Sequence, residues 1–129
     1  MKKTIMRLGL VSMLVMVAGP SYSVEAWHVF TCEQLEEATE KDIIEGASKW
    51  LKAAKGMKGG ENVELEVYFP VAAQMGESDF VVFMKFPTFA EWGVFFDGYE
   101  GSPAAEVDKE VEAFADCTDS ALWEAVKAE

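Results

Sequence analysis

Arginine is almost absent from this 129-residue chain, where Arg7 is the only one. Without guanidinium groups there is no bidentate clamp for phosphate or carboxylate. No glycine-rich phosphate loop makes up for it, since Gly59-Gly60 and the scattered single glycines do not match one. Both absences count against nucleotide-dependent chemistry. Positive charge is scarce in general: 11 Lys and Arg face 23 Asp and Glu, a formal charge of −12 with the single histidine neutral. Such a surface repels nucleic acid and anionic lipid. It favours solubility and, less specifically, cationic partners or divalent ions. The acidic groups Glu33, Glu36, Glu37 and Glu40, and then Asp116 and Asp119, lack the oxygen-ligand spacing of a calcium loop, so no metal and no cofactor is expected. Cysteine is limited to Cys32 and Cys117, and neither has a second cysteine within two to four residues. That argues against redox-active or metal-binding thiols. No catalytic motif stands out.

No apolar run is long enough to be a permanent membrane span, which needs ~20 residues. The run from Leu8 to Gly19 is shorter and is broken by Ser12. Lys2, Lys3 and Arg7 precede it, Gly19-Pro20 stops it, and Ser21 and Ser23 supply small residues for a cleavage site. This is the three-part pattern of a secretory signal peptide over 1–23, with cleavage after Ser23 or Ala26. The expected mature form, 24–129, is one domain that is periplasmic or secreted and not inserted in a membrane. Losing Lys2, Lys3 and Arg7 leaves eight basic against 23 acidic side chains, a formal charge of −15.

What the mature segment does hold is aromatic and β-branched material in clear periods. Ala26 to Cys32 reads as a first strand, with Trp27, Val29 and Thr31 on one face and His28, Phe30 and Cys32 on the other. Thr39 and Asp42 signal a helix start. Ile43, Ile44, Ala47, Trp50, Leu51 and Ala54 then give one apolar face, and the Gly56, Gly59 and Gly60 group ends the helix. Asn62 to Val71 alternates as a half-buried strand, with Glu64, Glu66 and Tyr68 facing away from the core. A loop from Ala72 to Ser78 follows. Asp79 to Phe86 is apolar on both faces apart from Lys85 and reads as a central strand. Thr88 and Glu91 form a capping box for a helix carrying Trp92, Phe95 and Phe96. Ser102-Pro103 starts another helix. Asp116 to Ser120 reads as turn, and Ala121 to Val126 as a last strand.

The order β-α-β-β-α(α)-β gives a ferredoxin-like βαββαβ α+β fold. Its antiparallel sheet has the order 4-1-3-2, with the helices on one face. The end of the first strand then lies beside the start of the fourth, which places Cys32 near Cys117. In an exported protein an even pair reads as a disulfide. Closing a loop of about 86 residues, it is worth roughly 4–5 kcal/mol on the chain-entropy treatment.

Over nearly the whole mature segment the element order and the aromatic middle resemble the dimeric α/β-barrel superfamily. That superfamily includes antibiotic-biosynthesis-monooxygenase-like and NIPSNAP-like domains. The nearest stretch is Asp79-Phe-Val-Val-Phe-Met-Lys-Phe-Pro-Thr-Phe-Ala-Glu-Trp92. The resemblance implies a homodimer with sheets face to face and a cavity between sheet and helices. It carries over no catalytic positions.

Three function classes follow. Eight of the residues from Phe80 to Tyr99 are aromatic, more than a small core needs, and Phe83, Phe86, Trp92 and Phe96 are the candidates for lining a pocket for a small apolar or planar ligand. That makes a non-catalytic, exported, dimeric binding domain the leading expectation. The rival is a cofactor-independent monooxygenase-like enzyme. It would use His28 with Tyr68 or Glu66, and Lys85 nearby, as acid–base groups around one cavity. The third is an acidic interaction module for a cationic partner, resting on net charge alone.

Overall fold

The computed structural model describes residues 24–72 and 80–128. The leader over 1–23 and most of the loop expected at Ala72 to Ser78 lie outside the described residues. The elements follow in the order β1 (Val24–Gln34), α1 (Glu40–Lys55), β2 (Glu64–Tyr68), β3 (Phe80–Phe86), α2 (Phe89–Asp97), α3 (Pro103–Val111) and β4 (Ala115–Val126). The four strands form one sheet ordered β2-β3-β1-β4 with every neighbouring pair antiparallel. This is the ferredoxin-like α+β arrangement that the element order predicts.

Local chemistry sets the helix ends. Thr39 caps α1 in a reciprocal box with Asp42, whose carboxylate accepts the Thr39 backbone N–H at 2.8 Å. These bonds hold the Asp42 pKa below its ordinary value. At α2 the Thr88 hydroxyl accepts the Glu91 backbone N–H at 3.1 Å, but the Glu91 carboxylate meets the Thr88 hydroxyl at 3.0 Å and the Asn62 amide at 3.2 Å. The cap expected there is therefore one-sided toward the backbone. Ser102 caps α3, with Pro103 in its first turn. The turn leaving α1 passes very close to α2. A Cβ on Gly59 (φ +86°) would lie 2.6 Å from backbone atoms of Glu91 and Phe95, and one on Gly60 2.1 Å from the Ala54 carbonyl oxygen.

The core sits between the helices and one face of the sheet. Ala26, Met84 and Phe86 from the strands pack with Trp50, Ala54, Phe95 and Val107 from the helices. A second cluster joins Cys32, Ile43, Phe80 and Ala115. Register assigns the faces. His28 pairs with Met84 and Leu122, and Met84 with Leu65, so this row faces the helices. Trp27 pairs with Lys85 and Trp123, Val29 with Phe83 and Ala121, and Glu66 with Phe83, so these residues form the open face.

β4 departs from expectation. The stretch Asp116 to Ser120, read above as turn, is strand, and Cys117 lies within β4 rather than before it. The residues are turn formers locally, but pairing with β1 overrides them. The ladder slips between Thr31↔Asp119 and Glu33↔Asp116, so Cys117 and Thr118 together oppose Cys32. This is a β-bulge, and its parity matters. An unbroken register from Thr31↔Asp119 would set Cys117 across from Glu33, on the open face. The extra residue returns Cys117 to the side of Cys32, and the two form a disulfide with Cα atoms 4.1 Å apart.

Candidate functional site

A cavity of about 240 Å³ lies between the helix-facing side of the sheet and the helices. Its walls are apolar strand residues such as Leu65, Val82 and Met84 and the rings of Phe30, Trp50 and Phe96. An apolar cavity of about 150 Å³ is enough to hold benzene, so this one has room for a planar molecule of one or two rings.

Four polar side chains also border it: His28, Trp50, Tyr99 and Asp108. Three of them are bonded to one another. The Trp50 indole N–H donates to the Tyr99 hydroxyl at 3.1 Å, and that hydroxyl donates to the Asp108 carboxylate at 3.2 Å. Burial, with the Asp108 charge adding to it, pushes the Tyr99 phenol up to about 12. Tyr99 is thus a neutral hydroxyl at neutral pH.

His28 stands apart from that chain. Its Nδ1 accepts the Trp92 indole N–H at 3.3 Å. The ring stacks on Phe30 with centroids 4.4 Å apart, and Phe96 packs against it at 5.3 Å. Half-buried among these rings, the imidazole has a pKa below its ordinary 6.5, because burial penalises the charged form.

The other sequence-derived acid–base candidates form a separate cluster on the open face. Lys85 Nζ donates to the Glu66 carboxylate at 2.6 Å and lies 4.4 Å from the centre of the Trp27 ring. The Tyr68 hydroxyl donates to the same Glu66 oxygen. Lys85 is directly across from Glu64, yet it reaches diagonally to Glu66. Hydrogen bonds from Lys85 and Tyr68 hold the Glu66 pKa below the usual range. Burial works against the Lys85 ammonium, but its hydrogen bond to Glu66 and the nearby negative charges outweigh that and raise its pKa. Glu66, Tyr68 and Lys85 are therefore brought together, while His28 is on the opposite face of the sheet. Of these four, only His28 borders the cavity between sheet and helices.

The four ligand candidates also separate. Phe96 lines the cavity, and Trp92 touches it through His28. Phe86 is buried core against Phe95 and Phe96. Phe83 lies on the open face between Trp27 and Tyr68, where it borders a shallow groove of about 810 Å³ with Val29 and Trp123. Trp50 and Asp108 are not among the sequence candidates, and Tyr99 enters there only as one of the eight aromatics of the Phe80–Tyr99 segment, not for its hydroxyl. Trp50, Tyr99 and Asp108 come from α1, the α2–α3 connection and α3, and no local spacing links them. The available signal was only that Trp50 and Tyr99 are polar-tipped aromatics, which need a partner when buried. Among the described residues no group of three His, Cys, Asp or Glu side chains could hold a metal ion, and no helix is long and apolar enough to cross a membrane.

No protein-family model matches the sequence, and no curated protein matches it either. Solved structures do share the architecture. A hydroxynitrile lyase from Passiflora edulis superposes with a TM-score of 0.54 at 13% identity, covering 84% of this chain and 97% of the lyase. A dimeric ferredoxin-like protein of unknown function from Thermobifida fusca gives a TM-score of 0.51 at 12% identity, covering 84% of this chain and 97% of the other. At this identity the likeness is one of fold: the chain is a ferredoxin-like α+β protein similar in architecture to these two.

Proposed function

We propose that this chain is an exported domain that binds a small, largely apolar planar ligand between its helices and sheet, and that pairs with a second copy through the open sheet face. The observation that carries the ligand reading is the cavity of about 240 Å³ bordered by Phe30, Trp50 and Phe96, with His28 as a polar handle. Pockets of this composition take their affinity from apolar contact and their orientation from a few polar groups. The pairing reading rests on the apolar strip of the open face, where Trp123 keeps 59% of its surface exposed beside Trp27, Val29 and Phe83. An exposed aromatic patch of this kind marks an interaction surface. That the Thermobifida fusca protein is described as dimeric supports the same reading. Export is supported by the leader pattern of 1–23 and by the Cys32–Cys117 bridge, which requires an oxidising compartment. The lyase likeness is at the level of fold and brings no activity with it.

Calorimetric titration with naphthalene tests the ligand reading. Wild-type protein is expected to bind it, and Ala47→Trp, which fills the cavity from α1, is expected to abolish binding. Equal binding by both proteins would overturn the cavity as the site. Light scattering over a dilution series tests the pairing, and a monomer throughout would refute it.

A further inference from the structure

We infer that Trp92 fixes which hydrogen-bonding character His28 presents to the cavity, and that the ligand is consequently a planar molecule with a hydrogen-bond acceptor on its edge. The inference rests on the ligand-binding reading above. An indole N–H can only donate, so the 3.3 Å bond from Trp92 requires Nδ1 of His28 to be the bare, accepting nitrogen. The neutral imidazole then carries its proton on Nε2. Protonating Nδ1 as well would set two N–H groups against each other. The Trp92 bond therefore selects both the neutral ring and one of its two tautomers.

The ring has little freedom to escape this. Phe30 stacks on it with the planes 27° apart, and Phe96 packs against it at 5.3 Å. Nε2 makes no hydrogen bond among the described residues, whereas the Trp50 and Tyr99 donors are used within the Trp50–Tyr99–Asp108 chain. The donor left for a ligand is thus the Nε2–H. A ring nitrogen, carbonyl or ether oxygen satisfies it, and a group that only donates does not. A carboxylate is disfavoured by Asp108 and by the negative charge of the chain. Trp92 is a positioning residue here: it acts on the ligand through His28.

Three probes of nearly equal size separate the possibilities at pH 7.5: quinoline, which accepts, naphthalene, which does neither, and indole, which donates. One additional hydrogen bond of about 1 kcal/mol corresponds to about a fivefold gain in affinity. By calorimetry, wild-type protein is expected to bind quinoline about fivefold tighter than naphthalene, and indole no tighter than naphthalene. His28→Phe should equalise quinoline and naphthalene while still binding both. Trp92→Phe frees both tautomers and should narrow the gap between quinoline and indole. Nitrogen-15 shifts of the His28 ring in ligand-free wild-type protein give an independent readout, expected to show Nδ1 bare and Nε2 protonated. The reverse tautomer, or quinoline and naphthalene binding equally to wild type, would overturn this inference and leave the cavity reading standing. Binding of none of the three would remove the cavity reading itself.

Discussion

Replacing Cys117 with serine isolates what the disulfide contributes to the fold. Cys117 is the better target of the two. Cys32 is fully buried against Ile43, Phe80 and Ala115, so truncating it would add a cavity cost. Cys117 is solvent-exposed on β4, and its loss leaves a buried thiol at position 32 that packs as a small apolar group. The bridge spans a sequence separation of 85, and a loop of this length is worth about 4.6 kcal/mol in lost denatured-state freedom. Against the typical domain stability of about 5–15 kcal/mol, that is a large share. With a urea m-value of roughly 1–3 kcal/mol/M, Cys117→Ser should lower the unfolding midpoint by roughly 1.5–4.6 M. Its m-value should also rise, because the uncrosslinked denatured chain is more expanded. Stabilities extrapolated to water are therefore the quantities to compare. β4 buries only Ala115 fully, so its amides should lose hydrogen-exchange protection first. A stability loss below about 1 kcal/mol, or uniform loss of protection across β3 and β4, would refute the account of β4 as a strand held by its ladder and its bridge.

Gly60→Ala places a Cβ 2.1 Å from the Ala54 carbonyl oxygen and 2.9 Å from Phe95. The backbone must move, and a loss of about 1–3 kcal/mol is expected in thermal or denaturant unfolding; an unchanged melting temperature would contradict the close packing of Gly60 against Ala54 and the Phe95 ring. His28 gives a pH dependence with a definite sign. Its folded pKa lies below the ordinary 6.5, so between the two values the unfolded chain binds more protons and stability rises with pH. The contribution is fully present above about 6.5 and is lost as pH falls through the lowered folded value. Denaturant melts from pH 7.5 to 5 should show a fall that is smaller in His28→Phe, and identical slopes in both proteins would contradict the burial of a neutral imidazole.

Most of the fold was legible because local signals agreed with one another. Thr39, Thr88 and Ser102 all cap helices, and the Leu65/Val67 alternation faces the core as its period requires. The first half of β4 was not legible. Asp116, Thr118, Asp119 and Ser120 favour turns in isolation, and only the ladder with β1 and the bulge at Cys117–Thr118 make them strand. The site was legible in part. Alternation within β2 placed Glu66 and Tyr68 on the face away from the core. β1 is apolar on both faces, with Trp27, Val29, His28 and Phe30 in succession. Its period therefore could not say which face meets the helices, and His28 was grouped with residues that lie across the sheet. The Trp50–Tyr99–Asp108 chain depends on tertiary packing of three separate segments, which no window of sequence contains.

The four tryptophans divide between the two proposed surfaces, and this allows one measurement to test both. Trp50 borders the cavity and Trp92 holds His28 at it, while Trp27 and Trp123 lie on the open face. Nitrogen-15 spectra of the indole N–H groups therefore report on each surface separately. Titration with naphthalene is expected to shift Trp50 and Trp92 and leave Trp27 and Trp123 in place, whereas dilution of the free protein should shift Trp27 and Trp123 alone. Naphthalene shifts confined to Trp27 and Trp123, or absent from all four, would contradict a ligand site between the helices and the sheet.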